Sequence, residues 1–225
     1  MIKNKALGIT LVIYTVLFYT AWSVYQFVFA EMIKREVNNE VVSMLISSGA
    51  VKNIIWTLPA VVLIVWFEDD MFAGTKDMCR FSRKDLMGIP VMLGLAAYIL
   101  IGAFIRKHGL FINQSFRLDD VIIVLFVGLT EETVFRGWLL NAFLKNADTD
   151  KKRYIAVGIN AVMFLLIHFP IWIVSGDFVK NITSFGFVII LVLSVIFSYC
   201  FIKTKNIFVP IIIHSIYDLL IFMFV

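Results

Sequence analysis

Two glutamates and an arginine lie inside one of the most apolar stretches of the chain. The segment VGLTEETVFRGWLL contains Glu131, Glu132 and Arg136, with VIIVLF before it and NAFL after it. A charged side chain at the centre of a membrane helix costs about 2.5–3.5 kcal/mol when it is ionised and unpaired. Such residues therefore face the protein interior or a water-filled cavity, and they are candidates for function.

Helical spacing assigns different roles to the two glutamates. Glu132 and Arg136 are four residues apart, so they share one helix face and can form an ion pair. Glu131 is rotated by about 100° from Glu132 and cannot contact Arg136 equally well. We predict that Arg136 neutralises and orients Glu132, whereas Glu131 points at another group. The alternative is that Glu132 and Arg136 form a buried ion pair that only holds helices in register.

Two other segments each place a histidine at membrane depth. AVMFLLIHFP contains His168, with Phe164 one turn earlier on the same face. NIFVPIIIHSIYDLL contains His214 and Asp218 four residues apart, so the two can touch or converge on a shared ligand or metal. Pro210, one turn before His214, lacks a backbone donor and can kink or locally loosen this helix.

The depths of these residues along their predicted helices agree. At 1.5 Å per residue, Glu131, His168 and His214 lie about 15, 20 and 12 Å from one edge of their respective spans. In a hydrocarbon core about 30 Å thick, all three fall in the middle third. We therefore predict one polar site that also includes Asp218. Taken singly, each histidine could instead be a hydrogen-bonded packing residue.

A carboxylate and imidazoles at this depth are suited to hydrolysis in either of two ways. A glutamate and a histidine can activate water, while His214 and Asp218 serve the developing oxyanion. Alternatively, His168, His214 and Asp218 can bind Zn²⁺, with Glu131 as the base for the metal-bound water. The predicted cofactor is accordingly none or Zn²⁺. The sequence contains no G-x-S-x-G, H-E-x-x-H or G-x-G-D motif, which argues against three other protease classes.

The composition excludes an ordinary soluble domain. Of 225 residues, 61% are hydrophobic and only 16% charged, with a mean hydropathy of +0.93, whereas soluble domains are about one quarter charged. The net charge is +4, but the basic residues lie between apolar blocks and form no stripe with aromatic residues, so nucleic acid is not a predicted partner. Cys79 and Cys200 fit no metal-binding spacing, and we assign them no role.

The apolar blocks predict an all-α, polytopic membrane protein with about seven transmembrane helices in one membrane domain. We divide it into an N-terminal region, 1–117, with three spans and a catalytic core, 118–225, with the last four. If the N-terminus is cytoplasmic, twelve lysines and arginines lie inside and six outside, which predicts that the C-terminus is outside. The predicted spans are 6–30, 42–67, 86–105, 121–144, 154–175, 182–202 and 206–225.

Three motifs resemble those of the CPBP family, the CAAX-processing and bacteriocin-processing (Abi-like) intramembrane proteases. EETVFRG is similar to the E-E-x-x-x-R motif of this family, FLLIH to F-x-x-x-H, and HSIYD to H-x-x-x-N/D. They occur in the family's order on three different spans, and the resemblance covers roughly residues 118–222, the last four spans. No motif matches the first three spans.

The resemblance implies an α-helical membrane endopeptidase in which Glu131 is the leading catalytic base and His168 assists it. It also implies that His214 and the residue at position 218 act on the oxyanion. In the eukaryotic CAAX-processing branch the last position is usually Asn, so Asp218 departs from that pattern and keeps the metal-ligand interpretation open. The residues expected to support the catalytic ones are Glu132, Arg136 and Phe164.

The expected activity is hydrolysis of a peptide bond in a membrane-delivered peptide, or in a lipidated or leader-bearing protein. The expected location is the plasma membrane of a bacterium. Short loops and the lack of extra domains favour a small peptide substrate. Two other functions remain open, a catalytically idle scaffold or immunity protein and a proton-coupled transporter, because both can also place ionisable residues at the membrane midplane.

Overall fold

The protein is an array of long helices, as its apolar blocks predict. The computed structural model describes residues 4–225, apart from the side chains of residues 40, 41 and 48. No strand occurs in this part of the chain, so the all-α prediction is confirmed. Residues 1–3, at the start of the predicted N-terminal region, lie outside the described residues. The long helices are α1 (Lys5–Glu36), α2 (Val42–Trp66), α3 (Arg83–Lys107), α4 (118–144), α5 (Asp150–Val174), α6 (Gly186–Thr204) and α7 (Phe208–Phe224).

Each of these helices coincides with a predicted span, but they differ in how well they suit a bilayer. Within the described residues, five are long and apolar enough to cross a membrane, namely α1, α2, α3, α5 and α6. Helix α7 is apolar but has only 17 residues, and α4 carries charged residues at its centre. The structure therefore confirms a polytopic membrane protein, with five helices rather than seven meeting both criteria.

Helix α4 occupies the middle of the bundle. It is contacted by α2, α5, α6 and α7, and every residue from Thr133 to Leu140 is buried. The large apolar side chains on the outer helices, such as Val12, Val62 and Ile101, are exposed and suited to lipid contact. The charged residues of α4 thus lie where protein, rather than lipid, surrounds them.

Several helices contain π-helical turns, which the sequence reasoning treated as regular α-helix. Such turns occur at Tyr25–Phe29 in α1, at Leu45–Val51 and Asn53–Thr57 in α2, and at Thr133–Leu140 in α4. π-Helical turns are rare and are frequently found at functional sites because they change the direction of nearby side chains. Lys52 lies between the two turns of α2.

Pro210 does not kink α7. Helix α7 runs unbroken from Phe208 to Phe224, and Pro210 is its third residue. The first backbone N–H groups of a helix have no acceptor within the helix, so a proline in the first turn removes no hydrogen bond. Pro210 therefore leaves α7 unkinked, and His214 lies on a regular helix.

Gly128 allows α4 and α7 to approach each other closely. A Cβ atom at this position would collide with the Oγ of Ser215 and lie 3.1 Å from the backbone oxygen of Ile211. Because one of these two atoms belongs to the backbone, the helices would have to separate to accept a side chain. The contact between α4 and α7 is also the contact that brings the predicted catalytic residues of the two helices together.

Gly128→Ala is therefore expected to destabilise the protein by about 1–3 kcal/mol, the usual cost of overpacking a well-packed contact. Thermal unfolding of the purified protein in detergent measures the loss. Gly158→Ala is the matched control, because Gly158 is also helical but a Cβ there would meet nothing within 4 Å. Equal unfolding temperatures for the two variants would contradict the close approach.

Candidate active site

Glu131 is paired with a lysine from α2. The Nζ atom of Lys52 donates to the Oε1 atom of Glu131 at 2.8 Å, and the two side chains are 11% and 7% exposed. The same ammonium group lies over the rings of Trp56, at 4.7 Å, and Trp22, at 5.5 Å. Glu131 thus points at a group other than Arg136, and its neutralising cation, which was not predicted, comes from a helix far away in sequence.

Glu132 and Arg136 form the ion pair that their spacing predicts. The Nη1 atom of Arg136 donates to the Oε1 atom of Glu132 at 3.1 Å, and both side chains are fully buried. The Nη2 atom of Arg136 donates to the backbone oxygen and the Oγ atom of Ser194, at 3.0 and 2.8 Å. The guanidinium also lies 4.6 Å from the ring centre of Phe164. Arg136 thus joins α4 to α6 as well as neutralising Glu132.

His214 lies among three carboxylates. Its Nδ1 atom is 2.8 Å from the Oε1 atom of Glu132, and its Nε2 atom is 3.4 Å from the Oδ2 atom of Asp218 and 4.0 Å from the Oε2 atom of Glu131. The ring of Phe197 stacks on the imidazole, with 4.8 Å between the ring centres. The contact with Asp218 was predicted from spacing, whereas the hydrogen bond with Glu132 was not.

His168 lies at a corner of α5, where the helix Asp150–Leu166 ends and the short helix Phe169–Val174 begins. Its Nδ1 atom is 2.7 Å from the backbone oxygen of Phe164. Because a carbonyl oxygen only accepts, Nδ1 carries the proton, and the Nε2 atom of the neutral ring is an acceptor. The ring of Phe164 contacts both His168 and His214, with centre distances of 5.1 and 6.1 Å. The predicted shared face of Phe164 and His168 is confirmed.

Helix α1 holds the corner that carries His168. The Nε1 atom of Trp22 donates to the backbone oxygen of Ile167 at 3.2 Å. The hydroxyl of Tyr19 donates to the backbone oxygen of Met163 at 2.5 Å. The position of His168 therefore depends on side chains from the N-terminal region.

A cavity of about 750 Å³ connects part of this site with the protein surface. Lys52, Glu131 and His168 are among its lining residues, and the exposed Lys34 and Asn38 also line it. His214 and Asp218 are not among the lining residues of this cavity, although the Asp218 side chain is 24% exposed. The structure thus brings the four predicted catalytic residues into one chain of contacts, with Glu131 and His168 on the cavity wall.

The predicted zinc ligands do not fit this arrangement. Among the described residues, no group of three or more His, Cys, Asp or Glu side chains is placed so that it could hold a metal ion. The Nδ1 atoms of His168 and His214 are engaged by Phe164 and Glu132, which leaves their Nε2 atoms as the ring nitrogens that could bind a metal. In the described structure, the side chains of His168, His214 and Asp218 are thus not arranged as one metal-binding group.

Lys52 lies within the predicted span 42–67, but it was not among the predicted site residues. The sequence did contain a signal for the ion pair between Lys52 and Glu131. Each residue lies inside an apolar span, where a charged side chain needs a partner of opposite charge. The other contacts had no such signal. Trp22, Trp56, Ser194 and Phe197 are residue types common in any membrane helix, and only the packing shows that they surround the site.

Comparison with known families supports the resemblance carried by the three motifs. Residues 113–220 match the family model described as type II CAAX prenyl endopeptidase Rce1-like. The matched region includes the three motifs and all four predicted catalytic residues. No curated protein and no solved structure matches the chain. Over residues 113–220 the chain is therefore similar to the Rce1-like family of CAAX prenyl endopeptidases, which agrees with the resemblance to CPBP intramembrane proteases.

Proposed function

We propose that the protein is an intramembrane endopeptidase in which Glu131 and His168 activate water for attack on a peptide bond. The supporting observation is that both side chains line one cavity, while the Nε2 atom of His214 lies 4.0 Å from the Oε2 atom of Glu131. A base and a hydrogen-bond acceptor thus lie on the cavity wall, and an imidazole that can donate to an oxyanion lies next to the base. A role in hydrolysis explains this arrangement better than a purely structural ion pair does.

The two oxygen atoms of Glu131 have different surroundings. Oε1 accepts a hydrogen bond from Lys52, and Oε2 faces His214. An oxygen atom placed between Oε2 and the imidazole can form hydrogen bonds of about 2.8 Å with both. In the proposed reaction, Oε2 takes a proton from water as the water oxygen bonds to the carbonyl carbon. Glu131 then passes this proton to the leaving amine as the C–N bond breaks.

His168 orients the attacking water. Its Nδ1–H group is occupied by the backbone oxygen of Phe164, so Nε2 is available to accept a hydrogen bond from water. The Nε2 atom of His168 and the Oε2 atom of Glu131 can each accept a hydrogen bond from the same water molecule. This leaves a lone pair of the water oxygen free for attack.

His214 and Asp218 act on the oxyanion in this mechanism. In the ring protonated on both nitrogens, Nδ1–H donates to Glu132 and Nε2–H donates to the oxyanion. Before the intermediate forms, Asp218 accepts from Nε2 and keeps the imidazole in position. Arg136 and Glu132 support His214 from the opposite side.

The proposed substrate is a membrane-delivered peptide, or a lipidated or leader-bearing protein. The name of the matched family refers to prenyl endopeptidases, which makes a lipid-modified protein one member of this substrate class. The cavity wall combines Lys52 and Glu131 with the indole rings of Trp22 and Trp56, so it can contact both a peptide backbone and apolar groups. We place the protein in a bacterial plasma membrane with a cytoplasmic N-terminus, and we treat 1–117 and 118–225 as its two regions.

Peptidomics of membranes that contain either the wild type or Glu131→Gln tests the proposal and identifies the substrate. We expect fragments that appear only with the wild type, together with accumulation of their uncleaved precursor in the variant. Glu31→Gln is the matched control, because Glu31 is an exposed helical glutamate paired with Arg35, and its peptide profile should equal that of the wild type. Identical profiles for the wild type and Glu131→Gln would overturn the protease mechanism and favour an idle scaffold.

A further inference from the structure

We infer that Lys52 is a positioning residue for the reaction, which binds one oxygen of the Glu131 carboxylate and thereby presents the other oxygen to water and His214. The inference rests on the proposed function, because it concerns the orientation of the proposed base. Lys52 lies outside residues 113–220, which match the family model. The N-terminal region would therefore supply part of the hydrolytic site.

The ion pair divides the Glu131 carboxylate into a bound and a free oxygen. Lys52 donates its hydrogen bond to Oε1, at 2.8 Å, whereas Oε2 is the oxygen close to His214. A carboxylate with no fixed contact can rotate about its terminal bond, which has broad torsional preferences. The ammonium removes this freedom and leaves Oε2 as the proton acceptor. Orientation of a catalytic group before reaction is a large source of rate enhancement.

The ammonium itself is held by an aromatic enclosure. The rings of Trp56 and Trp22 lie 4.7 and 5.5 Å from its Nζ atom, within the range of a cation–π interaction. Trp22 also donates to the backbone oxygen of Ile167, the residue before His168. One indole ring therefore contacts the lysine that orients Glu131 and fixes the backbone beside His168. This arrangement links the positions of the two groups that are proposed to hold water.

The backbone of α2 is irregular where it presents Lys52. The residue lies between the π-helical turns Leu45–Val51 and Asn53–Thr57, and its own N–H group donates to the backbone oxygen of Ser47, five residues earlier. Such turns shift side chains from the positions that a regular helix would give them. The irregularity coincides with the residue that reaches into the site, as expected when a helix is adapted to place one side chain.

The location of the ion pair distinguishes it from a pair that only fastens helices. Lys52 and Glu131 both line the cavity of about 750 Å³, so substrate and water can reach them. By contrast, Glu132 and Arg136 are completely buried and line no part of this cavity. An ion pair that only fastens helices does not need to line the cavity. An ion pair that orients a catalytic base must lie on the cavity wall, where the base can reach water and substrate.

Steady-state kinetics of Lys52→Met with a cleaved peptide tests the inference. Methionine keeps much of the length and apolar character of lysine but lacks the charge. We expect kcat to fall about 10- to 100-fold, with KM within about twofold of the wild type, because orientation is lost and ground-state binding is not. Lys203→Met is the matched control, since Lys203 also lies over an aromatic ring, that of Tyr199 at 5.5 Å, and it should retain the wild-type kcat.

Chemical restoration of the charge separates positioning from folding. Lys52→Cys is prepared in a background with Cys79→Ser and Cys200→Ala, and the folded protein is treated with 2-bromoethylamine. Alkylation of the thiolate by displacement of bromide gives a side chain that ends in an ammonium group, and we expect at least a tenfold recovery of kcat. The background protein without the Lys52 substitution receives the same treatment and should be unaffected. If Lys52→Met does not fold, Lys52→Gln replaces it in the kinetic comparison.

The outcomes distinguish failure of the inference from failure of the proposed function. Wild-type kcat in Lys52→Met, together with an inactive Glu131→Gln, overturns the role of Lys52 and leaves the role of Glu131 intact. Activity in Glu131→Gln overturns the proposed function itself. A change confined to KM, or no recovery after aminoethylation of a folded Lys52→Cys protein, also contradicts positioning by the ammonium.

Discussion

Glu131→Gln is expected to lower kcat by about 10³-fold, a loss within the usual range for removal of a general base. Glutamine keeps the size of the side chain and can still accept a hydrogen bond from Lys52, which otherwise donates to the carboxylate at 2.8 Å. It cannot take a proton from water. We therefore expect KM and the unfolding temperature to change little, which places the loss in the chemical step.

Cleavage of a fluorogenic peptide by the purified protein in detergent, under single-turnover conditions, measures this effect. His168→Ala should lose a similar part of the rate, because it removes the second contact to the attacking water. The double variant should be no more than a few-fold slower than the slower single variant, since residues that act as a unit are not additive. Retention of more than about one tenth of the wild-type rate in Glu131→Gln would exclude general-base catalysis by this residue.

Arg136→Met is expected to cause the largest loss of stability, about 3–5 kcal/mol, which is the typical cost of removing one partner of a buried ion pair. The substitution leaves Glu132 fully buried without its cation and removes both hydrogen bonds to Ser194. For a chain of this size, the apparent unfolding temperature in detergent should fall on the order of 10 °C.

A double-mutant cycle identifies the source of this loss. Glu132→Gln combined with Arg136→Met should be more stable than Arg136→Met alone, because the buried negative charge has also been removed. The stability of Arg136→Lys should lie between those of the wild type and Arg136→Met. One ammonium group cannot reproduce the planar guanidinium that contacts both Glu132 and Ser194. Wild-type stability of Arg136→Met would show that the buried pair does not stabilise the fold.

The contacts that could be predicted from sequence are those between residues on one helix. Glu132 and Arg136, Phe164 and His168, and His214 and Asp218 are each four residues apart, and all three pairs are in contact. Helical geometry alone determines such contacts, because residues four apart lie on the same face. The positions of the long helices were likewise predictable from apolar blocks whose length matches the thickness of a bilayer.

The contacts between helices could not be predicted in the same way. Lys52 and Glu131 are 79 positions apart, and His214 and Glu132 are 82 apart. Such pairs depend on how each helix is rotated about its axis, which is decided by packing over its whole length. The π-helical turns in α2 and α4 add a further rotation. For this reason the sequence predicted a polar site at one depth but paired Glu131 with no cation.

The aromatic enclosure of Lys52 has a consequence for how this protein can diverge from its relatives. Trp22 on α1 contacts Lys52 on α2 and the backbone beside His168 on α5, and Lys52 in turn contacts Glu131 on α4. A chimera could combine the N-terminal helices of one relative with the catalytic helices of another. The contacts that Trp22 and Lys52 make here would then not be matched across the two parts. The first two helices and the last four are therefore expected to be inherited and exchanged as one unit, although all recognisable motifs lie within the last four.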